Sequence, residues 1–362
     1  MAASERELDP EEKADLKSIL DGCQNVLSEL ERTLDKYAEL ESPQTNICRK
    51  ARRAWKRLSL EPVEFRDLQS RVNVNISLLS AFTSRRARDD TAKLVRQQKD
   101  QEQQAILDWL TPIDYAAQQN DFLNQRQPGT GQWLLDSAEF QSWVKTKNQT
   151  LFCPGIPGAG KTILTSIVTE ELSTRFEGDS SIIVAYIYCN FKQRNEQTLE
   201  NLLGSVLKQL AQGRPSLPES VESLYKRCES KKTRPSANDI STVLKTVAVD
   251  YSRIFILVDA LDECRVDDNC QANLLSELSN FQTQCRVNVF ATSRFIPDIT
   301  EKFAQDLRLE IRANKQDVQR YVEGHMNELP RFVRRDRNLQ EEISSEIVTA
   351  IDGMYVAART VS

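Results

Sequence analysis

The amino-acid sequence predicts an α/β fold in which a parallel β-sheet is covered by helices on both faces. Apolar runs of strand length alternate with amphipathic helical patterns through the middle of the 362-residue chain. A glycine-rich loop joins one such run to a helix, and acidic residues directly follow another run. We expect an all-α N-terminal domain before this sheet and a partial helical module after it.

The N-terminal third is expected to form a helical domain over residues 1–105, with helices broken near Pro43 and Pro62. Two apolar stripes recur there at helical spacing. They contain Leu16, Ile19, Leu20, Cys23, Val26, Leu27, Leu30, Leu34 and Tyr37, and Val63, Phe65, Leu68, Val72, Ile76, Leu79 and Phe82. Such stripes usually form the seam of a helix pair, and a surface for signalling partners is the alternative. Residues 106–130 are expected to form a connector.

The remaining elements follow from hydrophobic periodicity. Strands are predicted at 150–153, 182–189, 254–258, 287–292 and 307–311, and helices at 161–176, 197–211, 237–249 and 270–281. A polar insertion is expected between the second and third of these helices. The core domain is therefore predicted to span 131–296. Residues 297–362 would hold the last core strand and a partial helical accessory module, with helices over 315–329 and 338–351.

A phosphate-binding loop is indicated between the first predicted strand and the helix after it. The loop reads Gly155, Ile156, Pro157, Gly158, Ala159, Gly160, Lys161 and Thr162, which matches the pattern G-x-x-x-x-G-K-[ST]. Glycines let backbone N–H groups turn toward phosphate oxygens, and the helix N-terminus adds partial positive charge. Lys161 would reach the β- and γ-phosphates, and the Thr162 hydroxyl would bind Mg²⁺. A glycine-rich turn without a ligand is the weaker alternative.

Acidic residues follow the apolar run at 254–258. Asp259 stands just past the end of a strand buried on both faces, where open α/β sheets bind ligands, and is expected to hold Mg²⁺. Glu263 is the preferred catalytic base for the attacking water, with Asp262 as the second candidate. Asp262 could instead cap the next helix. Arg294 ends the next predicted strand and could sense the γ-phosphate.

These motifs together resemble the NACHT class of signal-transduction NTPases, and within it the fungal proteins with a nephrocystin-3-like domain. The resemblance rests on residues 129–136, 140–143, 153–162, 259–264 and 292–294, and extends less specifically to 54–58, 75–82 and 352–354. It implies a P-loop NTPase sheet in which the strand before Arg294 lies between the strands before the glycine-rich loop and before Asp259. It also implies that Thr130 and Trp133 lie near the adenine, although plain core packing is the alternative for Trp133.

The motifs and the resemblance predict a signalling switch that binds ATP, or less favourably GTP, with Mg²⁺ and hydrolyses it slowly. Fungal self/non-self recognition or cell-death signalling is the setting that the family implies. A nucleotide-holding adaptor without turnover, and a P-loop ATPase or kinase enzyme, remain open. Protein partners are expected to bind through the helical N-terminal domain. Compared with the family the chain is C-terminally short, so we expect weak ATP binding and a mainly monomeric state.

Composition argues against several other classes of protein. The net charge of −5 and the lack of a basic stripe with interleaved aromatics disfavour nucleic-acid binding. The eight cysteines form no C-x-x-C pair and there is one histidine, which argues against a zinc site. No apolar run reaches membrane-spanning length, and residues 1–12 are too polar for a signal peptide. We therefore expect a cytoplasmic protein.

Overall fold

Five strands form one parallel sheet. They are β1 (Thr150–Pro154), β2 (Ile182–Tyr188), β3 (Arg253–Asp259), β4 (Val287–Ser293) and β5 (Leu307–Arg308). Their order is β2-β3-β4-β1-β5, and every neighbouring pair runs parallel. β4 lies between β1 and β3, which confirms the strand order that the family resemblance implied.

The sheet belongs to a computed structural model that describes residues 9–38, 62–264, 269–326 and 329–350. Its α-helices are α1 (Pro10–Ala38), α2 (Pro62–Leu110), α3 (Tyr115–Asn124), α4 (Gln132–Leu135), α5 (Ala138–Lys145), α6 (Lys161–Arg175), α7 (Leu199–Gln212), α8 (Glu219–Lys231), α9 (Ala237–Ala248), α10 (Cys270–Gln284), α11 (Pro297–Thr300), α12 (Lys315–His325), α13 (Arg331–Arg334) and α14 (Arg337–Ala350). None of these helices combines the length and the apolar character needed to cross a lipid bilayer. Segments 54–58 and 352–354, which the resemblance included, lie outside the described residues.

Helices cover both faces of the sheet, as the sequence predicted. Successive residues of a strand point to opposite faces, so an uninterrupted apolar strand feeds two cores. In β3, Ile256 and Val258 join a core that α7, α9 and α10 complete. Phe255 and Leu257 of the same strand join a second core, which α5 and α6 complete. This double burial explains why the apolar run before Asp259 has no alternation.

The segment expected to be a connector, residues 106–130, contributes to the first core. α2 continues to Leu110, and both Leu110 and Tyr115 are 3% exposed. A Cβ atom at Gly204 would lie only 2.7 Å from the carbonyl oxygen of Leu110. Glycine at this position therefore allows α7 to pack directly against the end of α2.

Three elements differ from the sequence expectation. The polar insertion contains α8, whose buried residues Val221, Leu224 and Cys228 form a stripe that its many charged neighbours obscured. β5 has two residues rather than the predicted five, although the chain continues along β1, where the N–H groups of Leu309 and Ile311 donate to the carbonyl oxygens of Phe152 and Pro154 at 3.0 and 2.8 Å. α12 ends at residue 325 rather than 329.

Residues 9–38 and 62–101 belong to a unit of their own, which contains α1 and the N-terminal part of α2. Among the side chains that the structure describes in this unit, Ile19 and Val26 are buried, at 9% and 4% exposure. Other members of the two apolar stripes are exposed, namely Leu20, Leu27, Ile76 and Leu79. Part of each stripe therefore stays at the surface of this unit instead of forming a seam.

The outer edge of β2 is closed by glutamine side chains. Gln209 of α7 accepts a hydrogen bond from the Tyr186 backbone N–H at 3.0 Å and donates one to the Tyr186 carbonyl at 2.9 Å. Gln197 donates to the carbonyl oxygen of Tyr188 at 2.9 Å. These amides satisfy backbone groups that a neighbouring strand would otherwise pair with.

Replacing Gln209 by alanine is expected to lower the free energy of unfolding by about 1 to 3 kcal/mol, because the part-buried N–H and C=O groups of Tyr186 lose their partners. Urea unfolding followed by circular dichroism measures the change. Gln212→Ala is the matched control, since Gln212 is exposed on the same helix. Equal unfolding midpoints for the two variants would contradict this account of the sheet edge.

Candidate phosphate-binding site

A cavity of about 820 Å³ lies at the carboxyl ends of the strands. Its walls are the glycine-rich loop, the residues that follow β2, β3 and β4, residues 125–127 and the C-terminal half of α12. A narrower slot of about 100 Å³ shares Gly160, Ile163 and Tyr321 with this cavity. The carboxyl edge is where open α/β sheets bind ligands, and the size suits a small organic molecule.

The glycine-rich loop has the backbone geometry of a phosphate cradle. Gly158 and Gly160 have φ angles of 76° and 85°, in the left-handed region that favours glycine. A Cβ atom at Gly155 would lie 2.5 Å from the carbonyl oxygen of Ile311, so glycine also lets the loop pack against the chain after β5. α6 begins at Lys161, directly after the loop. Its first-turn N–H groups and helix dipole therefore favour an anion at this position.

Lys161 is half-buried against the loop. Its Nζ donates hydrogen bonds to the carbonyl oxygens of Gly155 and Ile156, at 3.0 and 2.9 Å. Burial lowers the pKa of Lys161, and the carboxylates of Asp262 and Asp259 partly oppose this effect. Phosphate oxygens are stronger partners for an ammonium group than neutral carbonyls are. A bound phosphate would thus compensate the desolvated charge.

Asp259 is the centre of a buried hydroxyl cluster. It is 1% exposed and accepts hydrogen bonds from Thr162 at 2.7 Å, from Thr165 at 3.0 Å and from Thr292 at 2.6 Å. The Thr292 hydroxyl also accepts the backbone N–H of Ala260 at 2.8 Å. Burial raises the pKa of Asp259, while the three hydroxyl donors oppose this. The cluster ties the ends of β3 and β4 to the first turns of α6.

Thr162 and Asp259 together offer oxygen ligands that fit Mg²⁺. The hydroxyl oxygen of Thr162 and a carboxylate oxygen of Asp259 lie 2.7 Å apart, and a cation there would offset the desolvation of the buried carboxylate. In proteins Mg²⁺ commonly uses one or two side-chain oxygens and completes its shell with water and substrate phosphates. Within the described ranges, no group of three or more His, Cys, Asp or Glu could hold a metal ion alone. The pair therefore suits a metal that shares its ligands with a phosphate.

Arg294 follows β4 and lines the cavity, but it is held by Asp262. Its backbone N–H donates to one oxygen of Asp262 at 2.9 Å, and its Nε donates to the other. The Asp262 side chain is 2% exposed and that of Arg294 is 49% exposed. Asp262 does not cap the following helix, whose N-terminal boundary is Asn269. Both Asp262 oxygens are therefore engaged by the arginine.

Glu263 lines the cavity beside this ion pair. Its Oε2 accepts a long hydrogen bond of 3.4 Å from the backbone N–H of Phe191. Burial raises the pKa of Glu263; the Phe191 N–H opposes this, and the charges of Asp262 and Asp259 add to it. A carboxylate with a raised pKa accepts a proton more readily than an ordinary one. Of the two acidic residues after Ala260, Glu263 is thus better placed to act on a water molecule.

Thr130 and Trp133, the two residues expected near the adenine, lie in different places in the structure. Thr130 lines the slot, and its hydroxyl donates to the carbonyl oxygen of Gln127 at 2.7 Å. Trp133 lines neither the cavity nor the slot; its ring packs against the second core. Gly131, at φ 83°, is the residue at which the chain turns into α4. Plain core packing, the alternative expected for Trp133, describes its position.

Three further residues at the site, Thr165, Tyr321 and His325, were given no role from the sequence, and Thr292 was named only as part of the 292–294 motif. Thr165 and Thr292 contact Asp259, while Tyr321 and His325 line the cavity from α12. The position of Thr165 one turn after Lys161 is a signal that could have been used, because residues four apart share a helix face. Tyr321 and His325 have no comparable local signal, since their place depends on how α12 packs.

Comparison with known protein families agrees with these motifs. The family model described as nephrocystin 3, N-terminal, matches residues 129–294. The matched segment includes the glycine-rich loop, Asp259 and Arg294. The chain contains a P-loop domain similar to the N-terminal region of nephrocystin 3. No curated protein matches the chain in sequence.

Solved structures to which the chain is similar include a Walker-type ATPase of Pyrococcus abyssi, AMPPCP-bound DnaA from Aquifex aeolicus and the Aeropyrum pernix ORC1 protein in complex with DNA. Their identities are 13%, 13% and 14%, and their TM-scores are 0.43, 0.36 and 0.38. The matches cover 64%, 66% and 66% of this chain, and 66%, 62% and 57% of those chains. The chain thus spans less than two thirds of the length of each of these proteins.

Substitutions at two neighbouring hydroxyl residues, Thr292 and Ser293, test the role of the hydroxyl cluster around Asp259. Thr292→Val is expected to lower the free energy of unfolding by about 1 to 3 kcal/mol, because the buried N–H of Ala260 and the carboxylate of Asp259 each lose a partner. Ser293→Ala is the control, since the buried Ser293 hydroxyl has no hydrogen-bond partner among the described residues and its removal is expected to be nearly neutral. Urea denaturation of both variants measures the difference. A Thr292→Val protein as stable as Ser293→Ala would refute the role of the cluster.

Proposed function

We propose that this chain is a NACHT-type signalling switch that binds ATP, or less favourably GTP, together with Mg²⁺ and hydrolyses it slowly. The observation that carries the proposal is the joint placement of Lys161, Thr162 and Asp259 at the N-terminus of α6. Lys161 and Thr162 end the glycine-rich loop that follows β1, whereas Asp259 ends β3, and β4 lies between these two strands in the sheet. The three residues therefore come together only when the chain folds. An ammonium, a hydroxyl and a carboxylate at a helix N-terminus suit a metal-bound triphosphate.

In the bound state, the loop N–H groups and Lys161 would hold the phosphates, while Thr162 and Asp259 would hold Mg²⁺. The metal, when bound, would neutralise charge that develops on the phosphate oxygens. Lys161 would exchange its bonds to the Gly155 and Ile156 carbonyls for bonds to phosphate oxygens. Thr165 and Thr292 would keep the other oxygen of Asp259 occupied and so fix the orientation of this carboxylate.

Glu263 is proposed as the base that orients the attacking water. Its raised pKa and its place on the cavity wall support this role. Asp262 is proposed to position Arg294, because both of its oxygens accept hydrogen bonds from that residue. A carboxylate that faces the cavity also favours slow hydrolysis over the alternative of an adaptor that merely holds nucleotide.

Arg294 is proposed to report whether a γ-phosphate is present. In this structure the guanidinium is paired with Asp262, yet about half of the side chain remains accessible at the cavity. A γ-phosphate would compete with Asp262 for the arginine, since both offer charge-assisted hydrogen bonds. A nucleotide with a γ-phosphate would then bind one arrangement of the domain more tightly than the other, and a switch requires such a difference in affinity.

Output through the helical N-terminal unit belongs to the same proposal. The unit exposes apolar side chains, including Leu20, Leu27, Ile76 and Leu79. Exposed apolar residues on helices are a common basis of partner binding. The fungal self/non-self or cell-death setting rests on family analogy.

Lys161→Ala is expected to weaken ATP binding about ten- to a hundredfold, because it removes a charge-assisted contact worth roughly 1.5 to 3 kcal/mol. Isothermal titration calorimetry with Mg²⁺ and ATP measures the affinity. Lys147→Ala, at an exposed lysine outside the cavity, is the control and should bind as the wild type does. Unchanged affinity of the Lys161→Ala protein would refute the phosphate-binding assignment.

Glu263→Gln is expected to keep Mg²⁺ and ATP bound while the hydrolysis rate falls about a hundredfold or more, because the amide cannot accept a proton from water. In the wild type, kcat should decrease as the pH falls through the raised pKa of Glu263, so its acid limb should lie above the ordinary glutamate value of 4.5. That limb should be absent from Glu263→Gln. If Asp262→Asn instead abolished hydrolysis while Glu263→Gln did not, the two roles would be reversed.

A further inference from the structure

His325 is the only histidine in the chain, and it lies on the wall of the phosphate cavity. It is the last residue of α12 and is half-buried. The glycine-rich loop, Asp259 and Glu263 form other parts of the same wall. Nothing in the binding scheme above uses this imidazole.

The hydrogen bonding of His325 defines which nitrogen is available to a ligand. Nδ1 lies 2.8 Å from the carbonyl oxygen of Tyr321, one turn earlier in α12. A carbonyl oxygen only accepts hydrogen bonds, so Nδ1 carries the proton. In a neutral ring Nε2 then has a free lone pair and acts as an acceptor. Because Nδ1 is engaged by the helix backbone, Nε2 is the ring nitrogen left for a ligand in the cavity that His325 lines.

The imidazole is also held in a fixed orientation. Its ring stacks on that of Tyr321, with centroids 4.1 Å apart and an interplanar angle of 27°. α12 itself is fastened to the segment that precedes α4, because the Asp317 carboxylate accepts the Gly131 N–H at 2.8 Å and Arg320 donates to the Gly129 carbonyl. Asp317 is 3% exposed. A stacked, tethered ring presents its acceptor at a defined place, which specific recognition needs.

The position of His325 along the cavity indicates which part of a nucleotide it would meet. The slot is lined largely by apolar groups such as Ile163, Leu164 and Ile167, and suits a flat base. Tyr321 lines both the slot and the main cavity, whereas His325 lines only the main cavity. With phosphates at the loop and the base in the slot, the sugar would lie between them, within the main cavity that His325 lines.

We propose that the Nε2 atom of His325 accepts a hydrogen bond from a ribose hydroxyl of the bound nucleotide, so that the chain prefers ribonucleotides to deoxyribonucleotides. Ribose hydroxyls are donors, which match a neutral imidazole acceptor, whereas phosphate oxygens at the same atom would need a protonated ring. The inference rests on the proposed nucleotide binding and adds the sugar selectivity of that site.

The test compares ATP, 2′-deoxy-ATP and 3′-deoxy-ATP by calorimetry with Mg²⁺ at about pH 8. The wild type is expected to bind at least one deoxy form about fivefold or more weakly than ATP. His325→Phe keeps a ring to stack on Tyr321 but has no acceptor, so it should bind all three nucleotides with the affinity of that deoxy form. His325→Gln, whose amide oxygen can approach the place of Nε2, should recover part of the preference.

Two further measurements keep the test independent of folding defects. Gln319→Ala, at an exposed position of α12, should retain the full preference. In the wild type, the single imidazole should show the Nδ1-protonated tautomer by NMR, and its signals should shift on addition of ATP.

Equal affinities of the wild type for the three nucleotides would overturn the proposal while leaving nucleotide binding intact. The proposal would also be overturned if His325→Phe bound all three nucleotides with equal affinity and that affinity were lower than the affinity of the wild type for either deoxy form. Such a result would indicate that His325 contacts a phosphate. If the wild type bound none of the three, the proposed function itself would fail, and the sugar preference with it.

Discussion

The buried carboxylate of Asp259 is the group on which the site depends. A carboxyl group with 1% exposure needs hydrogen-bond partners, and here three hydroxyls, from Thr162, Thr165 and Thr292, donate to it. Thr162 and Thr165 belong to α6, Thr292 belongs to β4, and Asp259 ends β3. The hydrogen bonds to this one carboxylate therefore set the spacing of three elements. Because Thr162 also belongs to the glycine-rich loop, the same hydrogen bonds bring the loop to the end of β3.

Two positive groups of the cavity, Lys161 and Arg294, are engaged by the protein itself. Lys161 donates to loop carbonyls, and Arg294 donates to Asp262. Each of these partners stands where a phosphate would be a competitor of equal or greater strength. A bound triphosphate would thus replace the internal hydrogen bonds of Lys161 and Arg294 with hydrogen bonds to phosphate oxygens. The difference in free energy between these two sets of contacts would favour one arrangement of the domain over another.

The cavity is closed on one side by α12, which follows the sheet in the chain. Asp317 and Arg320 fasten this helix to the backbone at Gly131 and Gly129, and Tyr321 and His325 then face the cavity. The nucleotide pocket that we propose therefore combines the edge of the sheet with a helix far from the glycine-rich loop in sequence. Any movement of α12 would change the walls of the slot and the main cavity together, which links the accessory helix to the ligand.

The sequence by itself determined the α/β class, the sheet covered on both faces and the chemistry of the glycine-rich loop, because hydrophobic periodicity and loop composition act within single elements. It also indicated that Asp259 follows a doubly buried strand. Only the tertiary structure decided that Asp262 engages Arg294 while Glu263 lines the cavity, that Trp133 packs into a core, and that α8 lies within a polar segment. Local patterns report which side chains share a face of one helix or strand. Which of those side chains meet across elements depends on how the elements pack, and no local pattern contains that information.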